Sequence, residues 1–152
     1  MTKMLLALAL FALGAQFSAA AEWTYVGPVL GKSSAGAKVK GVMDIDAGSV
    51  VAVDNATKAW FRLSYKSDTI DPAVPAKPIR KVKFLYLHLC EEHKRALLQL
   101  VYEDASGATV YSASFPSSPT KFDDVIPDTT GESWLKAACK IAAMKHKTAA
   151  KP

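Results

Sequence analysis

Three histidines, two cysteines and 14 carboxylates are the chemical stock of this 152-residue chain, and their spacing decides what they could do. His88-x-Cys90-x-x-His93 is the densest cluster, because imidazole and thiolate are both good zinc ligands. That spacing is not the spacing of a closed zinc site, and Cys90 has a ready disulfide partner in Cys139, which would remove its thiolate. The histidines therefore read first as structural or surface residues, and no metal is expected. Asp44 and Asp46 stand two apart, so on a strand both would project from one face. Such a pair could ligate calcium or serve as acid and base, with His88 as a third member. It reads more simply as the wet side of an edge strand, and Asp123-Asp124 is a weaker signal of the same kind. Gly-x-Ser-x-Gly, Cys-x-x-Cys-His and a phosphate-cradling glycine loop are all absent from the sequence. Ser117 and Ser118 fall in a Pro-rich stretch where solvation explains them. The chain is expected not to be an enzyme and to need no cofactor.

Recognition is the chemistry that remains. Trp60 and Arg62 alternate with Phe61 and Leu63, so an indole and a guanidinium would share the face opposite the apolar one. Lys81 and Lys83 sit together on one face of a second strand. These four residues, Trp60, Arg62, Lys81 and Lys83, are the candidate ligand surface. The basic-aromatic pattern is too sparse for nucleic acid, so the expected partner is an extracellular or envelope protein.

The elements that position these residues are mostly strands. Glu22 to Val26 has strand composition, and 31–41, rich in Gly, Ser and Lys, reads as a flexible loop. Val42 to Asp46, Val50 to Val53 and Ala59 to Tyr65 alternate in the strand manner, with turns at 47–49 and 54–55. Three prolines between Thr69 and Pro78 mark a loop. Ile79 to Cys90 is a long strand placing Val82, Phe84, Tyr86, His88 and Cys90 on one face and Lys81 and Lys83 on the other. A tight connection at 91–93 leads to Lys94–Glu103. Asp104-Ala105-Ser106-Gly107 is a hairpin turn, and Ala108 to Phe115 returns as its partner. Helical spacing appears in the last quarter. Thr129 and Glu132 form a capping box, and Trp134, Leu135, Ala138, Cys139 and Ala142 fall on one stripe. Strands followed by a single late helix predict an α+β fold, an antiparallel sheet of about six strands with a C-terminal helix packed on it.

The first 21 residues read as a cleaved signal peptide, with Lys3, an apolar run from Met4 to Leu13, and small residues at Ala19 to Ala21. The run of roughly ten residues is too short to span a bilayer, which needs about 20. No cysteine follows the expected cut, so a lipid anchor is not expected. The mature chain would be one domain over 22–143, followed by a basic disordered tail over 144–152. Without Lys3 the balance is 18 basic to 14 acidic side chains. In an oxidising compartment the two cysteines read as a disulfide. Closing a loop of about 49 residues would stabilise the fold by about 4 kcal/mol, pinning the helix of Cys139 across the strand of Cys90.

The order of landmarks resembles that of the surface-adhesin protein E family. The matching features are Glu22-Trp23-Thr24-Tyr25-Val26-Gly27, Met43-Asp44-Ile45-Asp46-Ala47-Gly48-Ser49-Val50 and Ala59-Trp60-Phe61-Arg62-Leu63-Ser64-Tyr65-Lys66. They continue with the strand ending in Cys90, Arg95 leading the next strand to Val101-Tyr102, and Ile126 to Trp134 with Cys139 on the helix beyond. The resemblance implies an antiparallel sheet tied to a C-terminal helix by the disulfide, and no enzymatic activity. The family's named adhesin is an outer-membrane lipoprotein that binds host matrix and serum proteins, and haem. The present chain lacks the lipid-anchor cysteine and has its own Gly/Ser-rich stretch near Gly36, so no binding residue carries over. The expected function is an exported non-enzymatic binding module of the bacterial envelope, periplasmic or secreted. The alternative is a periplasmic structural or accessory protein of an envelope complex with no soluble ligand.

Overall fold

The computed structural model describes residues 21–71, 74, 77–116 and 121–150. The expected signal peptide, apart from Ala21, and Ser117 and Ser118 lie outside the described residues. Eight strands and one helix follow in order. They are β1 (Trp23–Lys32), β2 (Lys38–Asp46), β3 (Val51–Val53), β4 (Ala56–Thr69), β5 (Ile79–Leu89), β6 (Lys94–Glu103), β7 (Thr109–Ser114), β8 (Asp123–Asp124) and α1 (Thr130–Ala149). The sheet is antiparallel in the order β1-β2-β4-β5-β6-β7, with β3 paired to β4 and β8 to β6 off that path. Six strands thus form the main path, as expected.

Strict alternation gives the sheet two unlike faces. Register partners Ile45, Phe61 and Phe84 share one face, as do Met43, Leu63 and Val82, and all but Phe84 are buried. This is the core face. Between them, Asp44, Arg62 and Lys83 form a register row on the other face. Val26 is the extra residue at a bulge in β1, which turns it inward against the core cluster.

Two expectations are corrected. The stretch 31–41 is not a loop, since β1 continues to Lys32 and β2 starts at Lys38, pairing Lys32 with Lys38 across a short turn. Strand structure persists because Val39 is buried and Gly41 leaves room for a close approach. A Cβ there would lie 2.6 Å from the Ser64 carbonyl oxygen and 2.9 Å from the Tyr65 ring. The segment expected to be a disordered tail is also helical as far as Ala149. Alanines give it high helix propensity, and His146 and Lys147 in the last turn complement the helix dipole. Lys145 Nζ donates to the carbonyls of Gly48 (3.2 Å) and Val50 (2.9 Å), fastening that end to the sheet. Lys151 and Pro152 lie outside the described residues.

At the start of α1, Thr129 Oγ1 accepts from Glu132 N, while the Glu132 carboxylate accepts from Asp128 N rather than from Thr129. The capping box is thus present with its return arm shifted by one residue. The helix lies on the core face. Trp134 stacks on Phe61 at 5.4 Å between ring centroids and also meets Phe84 at 5.1 Å and Tyr86 at 5.4 Å. Cys139 is disulfide-bonded to Cys90, with 5.9 Å between Cα atoms.

Replacing Cys90 and Cys139 together by serine releases a loop whose ends are 49 residues apart, and should lower stability by about 4 kcal/mol. Thermal unfolding followed by circular dichroism is expected to drop by about 10 °C or more. An unchanged midpoint would show that packing alone holds the helix.

Candidate functional site

Trp60, Arg62, Lys81 and Lys83 all emerge on the face that α1 leaves open, and the register makes them neighbours. Arg62 is the direct partner of Lys83, Ser64 of Lys81, and Trp60 of Leu85. Two cations opposite each other would repel, but each has its own carboxylate. Arg62 donates through Nε and Nη2 to Asp44 Oδ2, at 3.1 and 2.7 Å, and Lys83 donates to Glu103 Oε1. The Arg62 guanidinium also lies 4.3 Å from the Trp23 ring centroid, which places a second indole on this face. The result is a row of compensated charge flanked by the half-buried Trp60 and Leu85. Lys81 has no ion-pair partner among the described residues.

The two aspartates of the sequence reading share that face but not a task. Asp44 holds Arg62, whereas Asp46 Oδ1 accepts the backbone N–H groups of Glu22 and Gly48. His88 lies on the opposite, core face, so the three do not converge. No grouping of His, Cys, Asp and Glu suited to a metal occurs among the described residues. His93 is exposed with a left-handed backbone, φ 53°, at the β5–β6 connection.

The cluster that sequence reasoning missed lies beneath the helix. His88 is fully buried, edge-on to Phe61 at 5.5 Å and tilted against Tyr86 at 5.7 Å. Neither ring nitrogen has a hydrogen-bond partner among the described residues. Arg95, paired with His88 across the ladder, places its guanidinium 5.0 Å from the Tyr86 ring and 5.5 Å from the Trp134 ring. Gly131 makes room for it, since a Cβ there would sit 2.7 Å from Arg95 Nη1. Burial, reinforced by the Arg95 charge, pushes the His88 pKa down to about 4. Desolvation likewise raises the Tyr86 pKa, opposed by Arg95. The imidazole is therefore a neutral packing element, and the Arg95 cation is held by ring faces.

One antiparallel sheet with a helix disulfide-bonded to its core face, and an open face of aromatic and paired charged side chains, define the architecture. The chain belongs to the surface-adhesin protein E family, whose family model matches residues 23–140. Among solved structures it is similar to crystal form II of Haemophilus influenzae protein E, at 13% identity and a TM-score of 0.49, covering 66% of this chain and 82% of that one. A further structure of Haemophilus influenzae protein E matches at 15% identity and a TM-score of 0.46, covering 64% and 76%. No match to a curated protein is found.

Buried His88 makes stability depend on pH with a definite sign. Its folded pKa near 4 lies below the ordinary 6.5, so between these values the unfolded chain binds more protons. Stability should therefore be full above pH 6.5 and fall by about 3 kcal/mol towards pH 4. His88→Leu should flatten that segment of the curve in urea titrations run at pH 7, 5.5 and 4. The same acid slope in the variant would assign the loss to other groups.

Proposed function

We propose that this protein is an exported, non-enzymatic binding module of the bacterial envelope, and that the open face of its sheet holds the ligand surface around Trp60, Arg62, Lys81 and Lys83. The observation carrying this reading is the asymmetry of the sheet. The helix covers one face, while the other presents Trp23, Trp60 and Leu85 half-buried, with Tyr25 62% and Val42 38% exposed. Exposed apolar and aromatic side chains set among organised charge are typical of protein contact surfaces. Membership in a family of surface adhesins supports binding over catalysis. No helix among the described residues is long and apolar enough to cross a membrane. Export follows from the leader-like first 21 residues and agrees with a disulfide between the two cysteines.

An extracellular or envelope protein is the partner class. Trp60 is the anchor, because a half-buried indole is held by its neighbours before contact and loses little freedom on binding. The Asp44–Arg62 pair keeps the surface rigid, and Lys81 supplies unspent charge. A panel of immobilised extracellular-matrix and envelope proteins, probed with the purified chain, tests the reading. Saturable binding to at least one member is expected, weakened about tenfold or more by Trp60→Ala and also weakened by Lys81→Glu. Lys140→Glu on the helix should leave it unchanged. Binding indifferent to both face substitutions, or absent across the panel, would overturn the assignment.

A further inference from the structure

The hairpin end of the open face has a charge pattern that the fold does not need. Lys32 and Lys38 are direct cross-strand partners, and like charges so placed are destabilising. Lys40 and Lys66 flank the Gly41–Tyr65 register pair on the same side, and both alternate away from the core. Lys81 stands opposite Ser64 on the next strand. None of these five lysines has an ion-pair partner among the described residues. Two nearby carboxylates are committed elsewhere, Asp68 to Arg80 and Glu103 to Lys83. Leu30, 61% exposed and paired with Lys40, and Val42 sit among the lysines on this same face.

Protection of a sheet edge explains some of this but not all of it. Lysines on an edge strand discourage strand addition, which would account for Lys32 on β1. Lys40, Lys66 and Lys81 lie on interior strands, where no such protection is required. A solvated polar surface would also not set exposed Leu30 and Val42 between the charges.

We propose that this lysine-ringed apolar patch at the β1–β2 hairpin end is a contact site for an anionic phospholipid surface. Long lysine stems can lie along Leu30 and Val42 while their ammonium groups reach headgroup phosphates, and the two side chains enter the boundary beneath. An anionic leaflet relieves the Lys32–Lys38 repulsion that water leaves in place. Apolar side chains within the patch favour a bilayer over a soluble polyanion, which offers them nothing to enter. The site shares Lys81 and Val42 with the border of the Trp60 surface, but it is centred on Leu30, Lys40 and Lys66 and does not rest on the function proposed above.

Co-flotation of the purified protein with vesicles is the test. Binding to phosphatidylcholine vesicles containing phosphatidylglycerol should exceed binding to phosphatidylcholine alone, and should weaken as salt rises. Lys40→Glu with Lys66→Glu should reduce partitioning about tenfold or more, and Leu30→Ser should reduce it while leaving retention on heparin unchanged. Lys140→Glu with Lys147→Glu on the helix should have little effect. Circular dichroism and an intact disulfide confirm folding, and Lys40→Gln with Lys66→Gln gives a gentler version of the same loss. Equal binding to both vesicle types would overturn the proposal. So would insensitivity to the hairpin lysines, or a Leu30→Ser variant that partitions as well as the parent, the mark of a general polyanion site.

Discussion

The bond from Cys90 at the end of β5 to Cys139 in α1 holds the helix against one face of a two-faced sheet. Trp134, five residues earlier on the helix, then has no choice but the ring faces of Phe61, Phe84 and Tyr86. A contribution of about 4 kcal/mol from the closed loop is a large share of the roughly 5 to 15 kcal/mol that holds a domain folded. Seating α1 also decides which face becomes core. The chain has a single helix among its described residues, so covering one face leaves the other open.

The two faces handle charge in opposite ways. On the core side, Arg95 is held by Tyr86 and Trp134, and His88 remains neutral because desolvation and the Arg95 charge both oppose its protonation. A carboxylate at that depth would also have to be desolvated, whereas ring faces bring no such cost. Gly131 belongs to this arrangement, because any larger residue at the first turn of α1 would press on the guanidinium. On the open side, charge is balanced by charge, in the Asp44–Arg62 and Lys83–Glu103 pairs.

Much of this was legible in the sequence, for a simple reason. Period-two alternation in Ala59–Tyr65 and Ile79–Cys90 assigns every side chain to a face without any knowledge of pairing. Trp60 and Arg62 on one strand, and Lys81 and Lys83 on the next, could therefore be assigned to the face away from the apolar residues, where the register also puts them. What alternation cannot reveal is register. Asp44 reaches Arg62 and Lys83 reaches Glu103 only after the strands align, so charges that looked available turn out to be engaged. The helix end was missed because its anchor is long-range, from Lys145 to carbonyls 95 and 97 residues away. The hairpin was read as a loop because Gly, Ser and Lys are weak strand formers. Burial of Val39 and the clearance that Gly41 gives Tyr65 override that local preference.

These distinctions put a gradient on the open face. At its centre, the cations Arg62 on β4 and Lys83 on β5 have carboxylates from β2 and β6 within hydrogen-bond reach, so that row is fixed and nearly neutral. Toward the β1–β2 hairpin the carboxylates run out while lysines continue, and exposed Leu30 and Val42 appear among them. A neutral, rigid aromatic centre favours short-range shape recognition, where desolvation and fit decide affinity. An uncompensated rim acts over about a Debye length, roughly 8 Å at physiological salt, and so orients the domain before any contact forms. The two regions lie on one continuous sheet, where strand register holds their spacing fixed. A partner met at the centre would therefore be met in one orientation relative to whatever the hairpin end touches. That coupling is a property of the β-ladder itself, and it would be lost in a domain that carried the same side chains on separate loops.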